Sequence, residues 1–231
     1  MKTPESKASK PQNPAILFDL DGTLIDTAYE HVLAWSSALR SAGMVIPSWK
    51  IHRRIGMSGR SLIQQLLREH PSQFRKIDVK QLEKKHDAEF TKALNRLQPL
   101  PGAEKLLHAL TRFHVPWAIA TTGNRKQTRR LLRLMHLPSK IVFVTGDDVA
   151  KAKPSPDVFI AAADELKVPI DQCIVVGDSV WDMLAGGRRR ALCIGLLSGG
   201  YSKEELEQSG AFRVYSDPAA MLEHIEDLGI G

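Results

Sequence analysis

Short apolar runs of four to six residues recur along the chain, and they limit its fold more than any other feature. They lie at 15–18, 117–120, 141–144, 173–176 and 191–196. Apolar runs this short, bounded by polar residues, predict buried β-strands. Amphipathic helical patterns lie between them, and one such helix is expected to begin at Ser155 and Pro156, with Ser155 as its N-cap. Strands that alternate with helices predict an α/β fold with a doubly wound parallel sheet.

One long segment departs from this alternation. Between residues 26 and 97 the sequence shows no strand-like run, only apolar positions at helical spacing. These positions form three stripes: Ala28, Val32, Trp35, Leu39 and Ala42; Leu62, Ile63, Leu66 and Leu67; and Val79, Leu82, His86, Phe90 and Leu94. We therefore predict a small all-helical cap domain at 26–97 and an α/β core formed by 14–25 and 98–231. The polar residues 1–13 are predicted to be a disordered tail.

The composition excludes several classes of protein. Hydrophobic residues make up 43% of the sequence, which is enough for a folded core. No segment approaches the roughly 20 apolar residues that span a bilayer, and the apolar stretch of a secretory signal is missing. Cys173 and Cys193 both lie in strand-like runs, where we expect buried free thiols. A cytoplasmic protein without a membrane anchor is therefore expected.

The formal net charge is +6, and basic residues cluster at 53–54, 125–133 and 188–190. A positive field favours anionic ligands in general, although the spacing of these clusters also fits solvated helix faces. Aromatic residues are only 6% of the chain and do not alternate with the basic ones. This pattern argues against nucleic acid as a partner.

Two carboxylates, Asp19 and Asp21, follow the first apolar run, and Gly22 comes directly after them. Side chains two residues apart in an extended chain point the same way, and such carboxylates repel unless they share a cation or a proton. A hard divalent ion suits oxygen ligands, and Mg²⁺ is usual beside phosphates. Asp19 could attack a phosphoryl group, and Asp21 could protonate the leaving oxygen and then deprotonate water. Alone, the pair also fits a turn or a helix cap.

Three further polar clusters follow later strand-like runs. The segment 121–124 offers hydroxyls and backbone amides that could hold phosphate oxygens or cap a helix. Lys153 lies in a Pro-bounded turn and could place its ammonium on a phosphate and on Asp19. Asp178 follows the fourth run, with Asp182 one helical turn later. Because ligands bind beyond the carboxyl ends of parallel strands, the four clusters are expected to meet at one site.

Together the clusters resemble the four motifs of the haloacid dehalogenase superfamily of phosphatases. The segment 19–23 is similar to the first motif, Thr121 to the second, Lys153 to the third and the segment 177–182 to the fourth. This resemblance covers nearly the whole chain from Ala15 onward. It implies a Rossmann-like core and a bound metal ion.

The resemblance also implies how Mg²⁺ is held. Its ligands would be the carboxylates of Asp19 and Asp178 and the backbone carbonyl of Asp21. Asp182 is a further candidate ligand, or else it orients Lys153 or a metal-bound water.

The helical segment resembles the cap of the subclass that includes phosphoglycolate phosphatases and β-phosphoglucomutases. His31 could hydrogen-bond Asp21 or sense cap closure, and it is a candidate substrate-binding residue. The segment 56–59 resembles the specificity loop of that subclass, which makes Gly56 and Ser58 candidate substrate-binding residues. The mutase has an arginine directly after this serine, whereas here Gly59 occupies that position and Arg60 comes one residue later. Arg60 is also a candidate substrate-binding residue.

These observations predict a Mg²⁺-dependent hydrolase of small phosphate monoesters that works through an aspartyl phosphate on Asp19. The phosphate would bind at Thr121, Thr122, Gly123 and Lys153. The presence of Asp21 argues against dehalogenation, because dehalogenases of this superfamily lack the carboxylate at that position. Two alternatives stay open: a β-phosphoglucomutase-like phosphomutase, and a catalytically weak basic protein that binds nucleic acid or regulates another protein. The expected partner is a small phosphorylated metabolite, and the expected state is a monomer or a homodimer.

Overall fold

The computed structural model describes residues 14–69, 77–137 and 140–230. The predicted disordered tail at 1–13 lies outside the described residues. None of the helices in the described part of the chain is long and apolar enough to cross a membrane.

Six parallel strands form one sheet, which confirms the predicted doubly wound architecture. Their spatial order is β3-β2-β1-β4-β5-β6, so the first strand lies in the middle with β2 on one side and β4 on the other. The strands are β1 Ala15–Phe18, β2 Trp117–Ala120, β3 Val142–Val144, β4 Cys173–Gly177, β5 Leu192–Leu196 and β6 Ala211–Tyr215. Because the chain order reverses direction at β1, the crevice beyond its carboxyl end is the expected ligand site.

Strand β6 is not among the predicted strands. It pairs only with β5 at the edge of the sheet, and Phe212 and Arg213 in its middle are exposed. An edge strand that is buried on one side only lacks the continuous apolar run that marks the inner strands.

Ten α-helices accompany the sheet in the described residues. They are α1 Ala28–Ser41, α2 Ser48–His52, α3 Gly59–Glu69, α4 Val79–Ala93, α5 Ala103–Arg112, α6 Arg125–Leu132, α7 Asp157–Leu166, α8 Val180–Gly187, α9 Lys203–Gln208 and α10 Pro218–Glu223. The prediction that Ser155 caps α7 is wrong. The helix begins at Asp157 with Pro156 in the cap position, and the Ser155 hydroxyl donates to the Asp157 carboxylate at 2.5 Å instead.

Alternating side chains of the strands fill two apolar layers, one on each face of the sheet. Ile16 and Phe18 belong to one layer, and Ala15 and Leu17 belong to the other. This division follows from the two-residue period of a strand. Cys173 and Cys193 are both buried free thiols, as expected.

Helices α1 to α4 pack around a third apolar cluster of their own, which contains Trp35, Leu39 and Leu66. Not every member of the predicted stripes belongs to this cluster. Ala42 is exposed just beyond the end of α1, while Phe90 and Leu94 pack in the layer that contains Ile16 and Phe18. A separate cluster is what an independent helical unit needs, but the division of the chain into a core and a cap at 26–97 stays a prediction.

Candidate active site

The four predicted clusters meet at the carboxyl edge of the sheet. Asp19 follows β1, Thr121 follows β2 and Asp178 follows β4, while Lys153 lies in the loop between β3 and α7. Since β1 pairs with β2 on one side and β4 on the other, these side chains come from three adjacent strand ends and one neighbouring loop.

Lys153 is the buried cation of the site. It has no exposed surface, and its ammonium nitrogen lies 2.5 Å from Asp19 Oδ1 and 2.8 Å from Asp182 Oδ1. Burial alone would lower the pKa of Lys153, but the carboxylates of Asp182 and Asp19 outweigh burial and raise it above its usual value. Lys153 therefore stays charged and holds two carboxylates in place.

Three carboxylates form a cluster around this cation. One oxygen each of Asp19, Asp178 and Asp182 lies within 4.8 Å of the others, and all three residues are buried. Burial raises the pKa of Asp19 to about 7, although Lys153 opposes the shift. Burial and the nearby Asp182 and Asp19 carboxylates also raise the pKa of Asp178 well above its usual value.

The charges of this cluster fit a divalent metal ion. One ammonium cannot balance three carboxylates, and a hard cation with oxygen ligands would supply the missing charge. The backbone also closes tightly around Asp178: a Cβ at Gly199 would lie 1.8 Å from Asp178 Oδ2. Thr23 fixes the other oxygen by donating to Asp178 Oδ1 at 2.9 Å. Asp19, Asp178 and Asp182 could therefore hold such an ion.

The side chain of Asp21 lies outside this cluster, in a hydrogen-bonding environment of its own. Its Oδ1 accepts from Thr27 Oγ1 at 2.8 Å and lies 3.2 Å from His31 Nε2, and its Oδ2 accepts from Thr121 Oγ1 at 3.2 Å. Burial would raise the pKa of Asp21, but His31, Thr27 and Thr121 together lower it below its usual value. Thr27 is not among the predicted site residues.

The loop after β2 is held by its own hydrogen bonds and by a contact with the loop between α2 and α3. Thr121 Oγ1 accepts from the Gly123 amide at 3.0 Å, and Thr122 Oγ1 donates to the Gly56 carbonyl at 3.3 Å. Asn124, rather than a threonine, caps α6 by accepting from the Gln127 amide at 2.9 Å. The two threonines are thus not helix caps.

A cavity of about 500 Å³ opens above Asp19 and Asp21. Its lining includes six of the predicted substrate-binding residues: His31, Gly56, Ser58, Arg60, Thr122 and Gly123. Thr121, Lys153, Asp178 and Asp182 do not line it and are buried. Ser58 is partly engaged, because its oxygen accepts from the Ser61 amide at 3.2 Å and so caps α3.

Several lining residues were not predicted as site residues, namely Trp35, Met57, Glu83, His86, Asp87 and Gln127. Trp35 and His86 were assigned to apolar stripes, and their side chains stack with ring centroids 4.2 Å apart. The sequence gives no local signal for Glu83, Asp87 and Gln127, because polar residues on a helix surface look the same whether they face water or a pocket.

Comparison with known proteins finds matches along most of the chain. A haloacid dehalogenase-like hydrolase model matches residues 14–188, and a second, HAD-hydrolase-like model matches residues 150–228. Hexitol phosphatase A from Escherichia coli (strain K12) is 31% identical over 179 residues, which cover 74% of this chain and 76% of the relative. Validoxylamine A 7'-phosphate phosphatase from Streptomyces hygroscopicus subsp. limoneus is 30% identical over 187 residues, 78% of this chain and 84% of the relative.

Solved structures match the chain as well. The crystal structure of a hydrolase from Pseudomonas syringae has a TM-score of 0.88 and 43% identity, and covers 94% of this chain and 99% of that one. Phosphoglycolate phosphatases and a β-phosphoglucomutase are also among the relatives. The fold is thus that of a Rossmann-like hydrolase, and an acidic cluster lies at the carboxyl edge of its sheet. The chain belongs to the haloacid dehalogenase-like hydrolase family, and the predicted enzyme of phosphatase type is confirmed.

Proposed function

We propose that the chain is a Mg²⁺-dependent hydrolase of small phosphate monoesters, with Asp19 as the nucleophile. The observation that carries this proposal is the division of labour between two neighbouring carboxylates. Asp19 lies against Lys153 in the acidic cluster, whereas Asp21 has separate hydrogen-bond donors at the edge of the cavity. Groups with such different environments suit different roles in one reaction.

In the first step, an Asp19 carboxylate oxygen attacks the phosphorus of the ester in line with the leaving oxygen. The P–O bond to the alcohol breaks, and Asp21 delivers a proton to that oxygen. Lys153 and the loop amides near Gly123 hold the phosphoryl oxygens. A bound Mg²⁺ would supply further charge neutralisation beside Asp19, Asp178 and Asp182.

In the second step, Asp21 takes a proton from a water molecule, and the water oxygen attacks the phosphorus. The bond between phosphorus and Asp19 breaks, which releases inorganic phosphate, restores the Asp19 carboxylate and leaves Asp21 in the acid form that starts the next cycle. Both steps need Asp21 within reach of the same oxygen position, which its contacts with Thr27 and Thr121 would ensure.

The helical segment 26–97 is proposed to act as a cap that covers the cavity and selects the alcohol part of the substrate. One wall of the cavity is formed by Gly56, Ser58 and Arg60, in or next to the loop between α2 and α3, and by Glu83 and Asp87 on α4. Its mixture of hydrogen-bond donors and acceptors suits an alcohol with several hydroxyl groups. The names of two relatives, a hexitol phosphatase and a validoxylamine 7'-phosphate phosphatase, support a polyol phosphate as substrate.

The test is turnover of a metabolite panel, with products identified. Hexitol phosphates, sugar phosphates, phosphoglycolate and nucleotides are compared by kcat/KM in buffer with Mg²⁺. The proposal expects stoichiometric inorganic phosphate, highest kcat/KM for a polyol or sugar phosphate, and reversible loss of activity with EDTA. Conversion of β-glucose 1-phosphate into glucose 6-phosphate without phosphate release would instead identify a phosphomutase.

A further inference from the structure

Two histidines and two carboxylates form a continuous chain of contacts that runs from Asp21 to α6. His31 Nε2 lies 3.2 Å from Asp21 Oδ1, and His31 Nδ1 lies 3.0 Å from His86 Nε2. His86 Nδ1 in turn lies 3.2 Å from Asp87 Oδ1. This series of side-chain contacts thus leads from the loop after β1 through α1 to α4.

The last member of this chain is bonded to the core. Gln127 Nε2 donates to Asp87 Oδ1 at 3.1 Å, and Asn124 Nδ2 donates to Asp87 Oδ2 at 3.4 Å. Asn124 and Gln127 belong to the cap and first turn of α6, directly after the loop with Thr121. Asp87 therefore connects α4 with α6, and this series of contacts joins the two sides of the cavity.

The donors and acceptors along this series of contacts can be assigned in order. A carboxylate accepts only, so the nitrogen of His86 that faces Asp87 carries the proton. Burial lowers the pKa of His86 to about 4, although Asp87 opposes the shift, so this imidazole is neutral near pH 7. Its Nε2 is then an acceptor, and the facing nitrogen of His31, Nδ1, must carry a proton. Nε2 of His31 faces Asp21 Oδ1, and because a carboxylate accepts only, this nitrogen donates as well.

We infer that His86 and Asp87 are positioning residues for Asp21: they fix the ring orientation of His31, and they do so only when α4 is docked on α6. This inference rests on the proposed function, since it assigns to Asp21 the role of general acid and base. The stacking of His31 on Phe90, with ring centroids 4.0 Å apart, and of His86 on Trp35 holds both rings in the planes that the chain needs.

The test compares two substrates that differ in how strongly their hydrolysis depends on a proton from the general acid. An alkyl phosphate has a poor leaving group and needs a proton from Asp21, whereas p-nitrophenyl phosphate has a good leaving group and needs little help. His86→Leu keeps the apolar packing but removes both nitrogens. It should lower kcat/KM for an alkyl phosphate at least about tenfold more than kcat/KM for p-nitrophenyl phosphate. Asp21→Asn should show the same selective loss in larger measure.

Two comparison variants separate positioning from folding. His86→Gln places an amide oxygen near the position of Nε2 and should restore most of the alkyl phosphate activity. Lys84→Ala changes an exposed residue of the same helix and should leave both activities unchanged. An equal loss on both substrates in His86→Leu, without rescue by glutamine, would overturn the inference.

A measurement on the wild-type protein does not depend on any variant. In protein labelled with ¹⁵N-histidine, long-range ¹H–¹⁵N correlation spectra should show a proton on Nδ1 of both His31 and His86. A bare Nδ1 on His31 would contradict the inference. Failure of the proposed function would look different, because Asp19→Asn would then keep its activity on both phosphates.

Discussion

The acidic cluster beneath the cavity, which we call its floor, and the wall of the cavity hold charges in opposite ways. In the floor, Asp19, Lys153, Asp178 and Asp182 are at most 3% exposed, and each charge lies within reach of another. In the wall, Arg60 is exposed, and the Asp87 side chain keeps 47% of its surface in water. Buried charges cannot be changed singly without leaving an unpaired partner, whereas solvated charges can. The floor is therefore suited to a fixed reaction and the wall to a variable substrate.

Removing the nucleophile from the floor should have the largest effect. Asp19→Asn keeps the shape of the side chain but removes the charge that attacks phosphorus, so kcat should fall by about 10⁴-fold or more. Asp171→Asn is the matched control, because Asp171 is exposed and should leave kcat unchanged. Initial rates with p-nitrophenyl phosphate measure both. Residual activity above about one percent of the wild-type rate, which is less than a hundredfold loss, would show that Asp19 is not the nucleophile.

Breaking the charge balance of the floor should cost both activity and stability. Lys153→Met leaves Asp19 and Asp182 buried without their cation, which typically costs about 3–5 kcal/mol of folding free energy. Lys151→Met, two residues away and exposed, should cost almost nothing. Urea denaturation followed by circular dichroism compares the two. Mg²⁺ should restore part of the lost stability, since a cation at the same carboxylates would replace some of the missing charge.

The floor could be predicted from the sequence largely because its signals are local. Each carboxylate or lysine stands next to an apolar run or a proline-bounded turn, and the topology of a parallel sheet brings strand ends together. The side chain of Asp21 turned out to lie apart from the acidic cluster, facing Thr27 and His31, because a turn at Gly22 follows it. That detail depends on packing between β1 and α1.

The wall could not be predicted in the same way. His86 is buried at its position in an apolar helical stripe, as its spacing predicts. The spacing does not show that its ring nitrogens contact His31 and Asp87. Contacts between α4 and α6 join residues about 40 positions apart, and no local pattern encodes them. Edge strand β6 escaped prediction for a similar reason, because its exposed face interrupts the apolar run.

Because His86 is buried and neutral in the folded protein, the free energy of unfolding should depend on pH. Its pKa is lowered from 6.5 to about 4 in the folded state, so the unfolded chain binds more protons between these values. The free energy of unfolding should therefore fall as pH drops from 6.5 towards 4, by up to about 3 kcal/mol from this residue. His86→Gln should flatten the profile in that window. Urea denaturation at pH 7, 6, 5 and 4.5 measures it, and identical slopes in both proteins would contradict a buried neutral ring.

The smallest effect should come from the wall. Arg60→Ala removes an exposed guanidinium that faces Glu83 across the lining, and solvent screening limits such a charge to less than about 1 kcal/mol. KM should rise about two- to fivefold with kcat nearly unchanged, because the phosphoryl site does not include Arg60. A substrate with a carboxylate, such as phosphoglycolate, should lose more than an uncharged polyol phosphate. Arg68→Ala, at the exposed end of the same helix, is the matched control. A large fall in kcat would mean that Arg60 reaches the phosphoryl group, and the wall would then share the chemistry of the floor.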